Sequence, residues 1–78
     1  MFLDIITPDK KVFSGDVSSI TVPGTKGIFQ VLNNHAPIIS TLSKGVVKYK
    51  TIEGEKTVSI NSGVIEVLKN KIILLLES

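Results

Sequence analysis

The sequence predicts an all-β domain, a flattened antiparallel β-sandwich of about eight to ten short strands in two sheets. Three observations predict it. Turn-forming residues recur at short, nearly even intervals: Pro8, Gly15, Pro23 with Gly24, Gly27, Asn33 with Asn34, Pro37, Gly45, Gly54, Gly63 and Asn70. The gaps between them leave no room for a good helix. Within those gaps Val, Ile, Thr, Phe and Tyr alternate with polar residues, the period-two pattern of half-buried strands. No repeat, linker or low-complexity stretch divides the chain, so 1–78 is read as one domain.

In order, the expected strands are 2–6, 11–13, 17–22, 28–32, 38–42, 46–52, 56–61, 64–68 and 71–77. The clearest hairpin spans 48–60, where Gly54 after Glu53 can take the positive φ of a tight primed turn. A second joins 64–68 to 72–76 across Lys69, Asn70 and Lys71, with Asn70 as the left-handed residue. Its apolar residues run almost without a break, which predicts central strands covered on both faces.

Size and composition set the limits. A chain of 78 residues buries only about 60 to 65% of its unfolded surface, so its stability margin is thin. It has no Cys and one His, which closes the disulfide and metal routes to reinforcement and leaves a partner surface. Hydrophobic residues make up 42% and charged residues 21%, the balance of a domain with a core and not of a disordered tail. The net charge of +2 is too small to hold a polyanion at physiological salt. All nine cations are Lys, and without Arg the bidentate recognition of phosphate or guanine is missing. The chain start has no basic leader segment, and the longest apolar run, 72–76, is far short of the ~20 residues that span a bilayer. With the lack of Cys, these features predict a soluble cytoplasmic chain without membrane insertion.

Catalysis needs a nucleophile with a base, a tuned carboxylate pair or a metal cluster. The acids Asp4, Asp9, Asp16, Glu53, Glu55, Glu66 and Glu77 are scattered singly and read as solvated charges or turn partners. Neither a catalytic residue, a metal site nor a cofactor is predicted. The run Pro23, Gly24, Thr25, Lys26, Gly27 resembles a phosphate loop only at first sight: Lys precedes the second Gly and a strand follows, where a phosphate loop opens a helix. No nucleotide site is expected there. His35, in the turn Asn33, Asn34, His35, Ala36, Pro37, either satisfies local backbone groups or is presented to a partner. Lys48, Tyr49 and Lys50 have the composition of a single-strand binder, but period two puts Tyr49 beside Val47 on the inner side and both lysines outside.

Four features in register then carry a resemblance: Thr7 and Pro8 after the first strand; Val12, Phe13, Ser14, Gly15; Val22, Pro23, Gly24 with Gly27; and His35, Ala36, Pro37 before an apolar pair. With the stretch from Ser62 to Val67, they make nearly the whole chain similar to the N-terminal domain of the epsilon subunit of F-type ATP synthase. The resemblance implies a two-sheet sandwich and a non-catalytic place in the central rotor, between the gamma subunit and the c-ring, coupling proton transport to ATP synthesis at the cytoplasmic face of the bacterial inner membrane. It implies that Pro23, Gly24, Thr25, Lys26, Gly27, Ile28 and Phe29 face the c-ring. It implies that His35, Ala36, Pro37, Ile38, Thr41 and Leu42 lie against gamma.

Two departures bear on those sites. Asn33 and Asn34 stand where many members have Pro and Gly, which predicts a looser turn with Asn34 left-handed. Ile28 stands where many have an acid, so a dry contact replaces an ion pair to the ring. The sequence also ends where the family continues into a helical hairpin, so this polypeptide is expected neither to bind ATP nor to restrain its hydrolysis, and to be a monomer when isolated. The alternatives are a small β-barrel binding single-stranded nucleic acid, marked by steep salt dependence, and a small hydrolase using His35.

Overall fold

The computed structural model describes residues 1–77, so Ser78 of the expected domain lies outside the described residues. The strands are β1 (Phe2–Ile6), β2 (Lys11–Asp16), β3 (Ser19–Gly24), β4 (Gly27–Leu32), β5 (Ile38–Leu42), β6 (Gly45–Thr51), β7 (Gly54–Ile60), β8 (Ser62–Leu68) and β9 (Lys71–Glu77). The all-β expectation holds, with each strand close to its expected span. β2 runs on to Asp16, and β3 begins at Ser19 because Val17 and Ser18 form the corner between them.

The strands follow one hydrogen-bonded path, β2-β1-β9-β8-β5-β3-β6-β7, with β4 on the free side of β3. The path folds over on itself. One layer holds β2, β1, β9, β8 and β5; the other holds β4, β3, β6 and β7. Pairing is antiparallel except between β1 and β9, which run parallel, a long-range pairing that local alternation does not encode.

The fold-over point has a chemical cause. β3 pairs with β6 as far as Thr21 opposite Lys48, and two residues later comes Pro23, which has no N–H to continue a ladder. At Gly24 the strand pairs instead with Leu42 of β5, while the Pro23 carbonyl accepts from the Ser43 amide at 2.8 Å. Gly24 is required by closeness: a Cβ there would lie 2.7 Å from the Gly27 carbonyl oxygen and 2.8 Å from the Phe29 ring.

The core between the layers is wholly apolar among the described residues. Leu3, Ile5, Ile20, Val22, Val31, Val47, Ile65, Ile72 and Leu74 are fully buried. Tyr49 is also buried, beside Val47 as its parity predicted, and Lys48 and Lys50 are exposed. Its ring meets that of Phe13 at 4.7 Å between centroids, tilted by 48°, so an aromatic pair joins the two layers.

Both expected hairpins form, each with a refinement. In β6–β7, Thr51 pairs with Gly54 across Ile52 and Glu53. Neither loop residue has positive φ; it falls on Gly54, at 121°, immediately after the loop. In β8–β9, Leu68 pairs with Lys71, and both Lys69 (φ 50°) and Asn70 (φ 63°) are left-handed, the geometry of a type I′ turn. These two strands are central in the path, as expected. They are not covered on both faces: Ile65, Val67, Ile72 and Leu74 point into the core, whereas Leu68 and Leu75 are about half exposed. The apolar run therefore reports a greasy outer face and not a second covering layer.

Leu74→Ala should cost 2 to about 5 kcal/mol of folding free energy, and Gly24→Ala about 1 to 3 kcal/mol through overpacking. Urea unfolding followed by circular dichroism checks both.

Candidate functional site

β5 connects two surfaces. The turn carrying His35 enters at its start, and the β3–β4 turn is bonded to its end, where the Thr25 amide donates to the Thr41 carbonyl at 3.1 Å and the two threonine hydroxyls lie 2.9 Å apart. At about 3.4 Å per residue a five-residue strand spans roughly 15 Å, much of the 25 Å longest dimension of the molecule.

At the first surface, Asn34 is left-handed, as expected, with φ 64°. Three hydrogen bonds hold the turn. The Asn34 amide donates to Asn70 Oδ1 at 2.9 Å, the Met1 amino group donates to Asn33 Oδ1 at 3.0 Å, and the His35 amide donates to the Leu32 carbonyl at 3.2 Å. His35 Nδ1 lies 2.7 Å from the Ala36 carbonyl oxygen. A carbonyl can only accept, so Nδ1 carries the proton and Nε2 is left for a second group. Of the two alternatives weighed for His35, the local backbone contact is the one the structure contains.

Along β5 the side chains alternate strictly. Ile38 is partly buried against the core and Leu42 is only 3% exposed, whereas Ile39 is 72% exposed and Thr41 is also outside. Strand parity turns Leu42 inward, so against the expectation it has no side chain to offer a partner. Ile38 is only partly covered and lines an open hollow with Pro37 and Ile39, and Ile39 is the outward apolar group that the sequence reading did not single out. Thr41, polar and of opposite parity to Leu42, held the signal. Pairing extends this outer face sideways in rows, Thr41 beside Val64 and Leu75, and Ile39 beside Glu66 and Ile73. Leu68, half exposed, extends this largely apolar face, with the exposed carboxylate of Glu66 standing inside it, between Ile39 and Ile73. At the far side Asp4 is largely covered and lies 3.7 Å from Lys11 Nζ.

At the second surface, Thr25, Lys26, Gly27 and Ile28 are exposed, Ile28 by 78%. Pro23 and Gly24 are buried and Phe29 packs partly against the core, so those three shape the turn without presenting side chains at its tip. Gly27, at φ 132°, opens β4. No phosphate cradle forms, because a strand and not a helix follows. Among the described residues no three His, Cys, Asp or Glu side chains gather to hold a metal, and no helix is long and apolar enough to cross a membrane.

These features define a class: a two-layer β domain with an apolar interior and one apolar outer face. The family described as ATP synthase, Delta/Epsilon chain, beta-sandwich domain, matches residues 1–78, and the chain belongs to it. Relatives named ATP synthase epsilon chain include that of Chlorobaculum tepidum, 46% identical over 96% of this chain and 86% of its own. That of Leptospira borgpetersenii is 40% identical over 94% of this chain, which spans only 58% of the relative's length. Among solved structures, a chain of the Tetrahymena thermophila mitochondrial ATP synthase central stalk and c-ring superposes with a TM-score of 0.85 at 17% identity, covering 99% of this chain and 63% of that one. A chain of the Euglena gracilis mitochondrial ATP synthase assembly with F1 and c-ring gives 0.88 at 19%, covering 95% and 48%. At such identities these two establish the fold.

Ile39→Ser should change unfolding free energy by no more than about 0.5 kcal/mol, whereas Leu42→Ala should cost 2 to about 5 kcal/mol. Paired urea titrations check the inward and outward assignment.

Proposed function

We propose that this chain acts as a non-catalytic rotor element of an F-type proton-translocating ATP synthase, joining gamma to the c-ring. The observation that carries the proposal is the outer face of β5, β8 and β9, where Ile39 is 72% and Leu75 51% exposed on a domain whose family belongs to ATP synthase. A small domain with thin intrinsic stability gains from burying such a face against a larger protein. Gamma covers this face and the turn of His35, Ala36 and Pro37, with Nε2 of His35 meeting a polar group at the edge. The turn Thr25, Lys26, Gly27, Ile28 meets the ring loops. The chain works at the cytoplasmic face of the bacterial inner membrane, held there by its partners, and is a monomer when isolated.

The same proposal assigns no ATP binding to residues 1–78. The nucleic-acid alternative is disfavoured by the inward packing of Tyr49, which removes the ring a base would stack on. A hydrolase centred on His35 is disfavoured because the hydrogen bond its ring makes is to a backbone carbonyl, and not to a Ser or Thr hydroxyl or a carboxylate.

Calorimetric titration against purified gamma should give one-to-one binding, weakened at least tenfold by Ile39→Glu and severalfold by His35→Ala with little change in melting temperature. Equal loss of affinity and stability, or no binding by the unaltered chain, contradicts the proposal. Adding residues 1–78 to the hydrolysing enzyme should leave its rate within about twofold, and strong inhibition contradicts the regulatory part.

A further inference from the structure

Beside the β3–β4 turn lies a cleft of about 420 Å³ that continues the second surface onto the β5–β6 connection. Its apolar walls are Pro23, Ile28 and Val46, the last two 78% and 47% exposed. Its floor is tight: a Cβ on Gly45 would come 2.9 Å from the Pro23 Cβ, and the Ser43 amide and hydroxyl both donate to the Pro23 carbonyl, at 2.8 and 3.3 Å. The cleft is thus built by the same corner that turns β3 from one layer to the other, and it is pre-formed.

Its charge has one sign. Lys44 and Lys48 line it, and Lys26 stands exposed in the adjoining turn. The ion pairs among the described residues are Lys11 with Asp4 and Lys56 with Glu53, so none of these three lysines pairs with an acid within 4 Å. Between Asp16 and Glu53 the chain has Lys26, Lys44, Lys48 and Lys50 and no acid, and Glu55, which lines a neighbouring hollow with Lys48, does not line this cleft. Although the whole molecule is only weakly basic, this end of it is a concentrated cationic rim around an apolar slot.

We propose that the cleft receives an acidic loop, with an apolar side chain seated between Ile28 and Val46 and flanking carboxylates on Lys44 and Lys48. The assignment of that loop to the ring rests on the function proposed above. Ile28 supplies no charge, so specificity passes to the lysines on the facing wall, and the complementary loop is negative. Complementarity of this kind sets orientation and excludes wrong partners more than it adds raw affinity, and it weakens as salt screens partly exposed charges.

The test is binding of the gamma complex of this chain to the detergent-solubilised ring of the same enzyme at low and high salt, with Lys44→Glu/Lys48→Glu beside the unaltered chain. Alongside it, amide shifts of isotope-labelled chain are followed on adding cyclic peptides with an Asp-Leu-Pro-Asp or a Lys-Leu-Pro-Lys tip. The double reversal should weaken ring binding at least tenfold and flatten its salt dependence while leaving gamma affinity within twofold, and only the acidic peptide should shift Ile28, Gly45 and Val46. Ring binding unchanged by the reversal, or equal response to the two peptides, overturns the cleft assignment and leaves the rotor proposal standing. Selective response to the acidic peptide without any ring binding by the unaltered complex supports the cleft and removes the ring as its occupant.

Discussion

The passage of β3 from one layer to the other at Pro23 and Gly24 is the constraint on which the rest of the structure depends. Proline ends the ladder with β6 because it has no hydrogen to donate, and glycine allows the chain to lie against the Gly27 carbonyl and the Phe29 ring where any side chain would collide. The ladder is then handed to β5 through Gly24 opposite Leu42 and sealed by Ser43 on the Pro23 carbonyl. Without this handover the hydrogen-bonded path would break between β5 and β3, and only side-chain packing would join its two halves. The fold-over buries an interior of Leu, Ile and Val with one Tyr and no buried charged residue among the described residues.

Because the handover anchors the end of β5, it also fixes the distance between the two surfaces proposed to bind. The His35 turn at one end is tied by Asn33, Asn34 and Asn70, and the β3–β4 turn at the other by Thr25 and Thr41. A strand paired to β8 along its length and to β3 at its end is a stiff connector. That is what a part seated between a shaft and a ring requires, since a compliant one would store the rotation and not pass it on. The chemistry of the two ends differs: one is a largely apolar sheet face with a single carboxylate, Glu66, within it, the other an apolar slot lined by two lysines.

Much of the architecture was legible in the residues because each strand carries its own alternation and each turn its own Gly, Pro or Asn. Tyr49 could be placed inside from Val47 alone. What local pattern could not show was pairing at a distance, so the parallel contact of β1 with β9 was invisible. Phase was the second difficulty. Ile38 and Ile39 are adjacent and equally apolar, and only the polar Thr41, read against Leu42, reveals that Ile39 faces out. In β8 and β9 the apolar residues on both faces suggested a second covering layer, although the outer ones are an exposed surface. The cationic cleft was hidden for a related reason, as Lys44 and Lys48 gather beside Ile28 only once β3 has turned its corner.

The most direct measurement of the central claim is site-specific photo-cross-linking in the assembled enzyme, with a benzophenone side chain placed in turn at positions 39, 26 and 52. Docking between shaft and ring predicts an adduct with gamma from 39, an adduct with a ring subunit from 26, and none from 52, which lies on the fully exposed β6–β7 loop. Adducts of the same kind from all three positions, or none from 39, would contradict it.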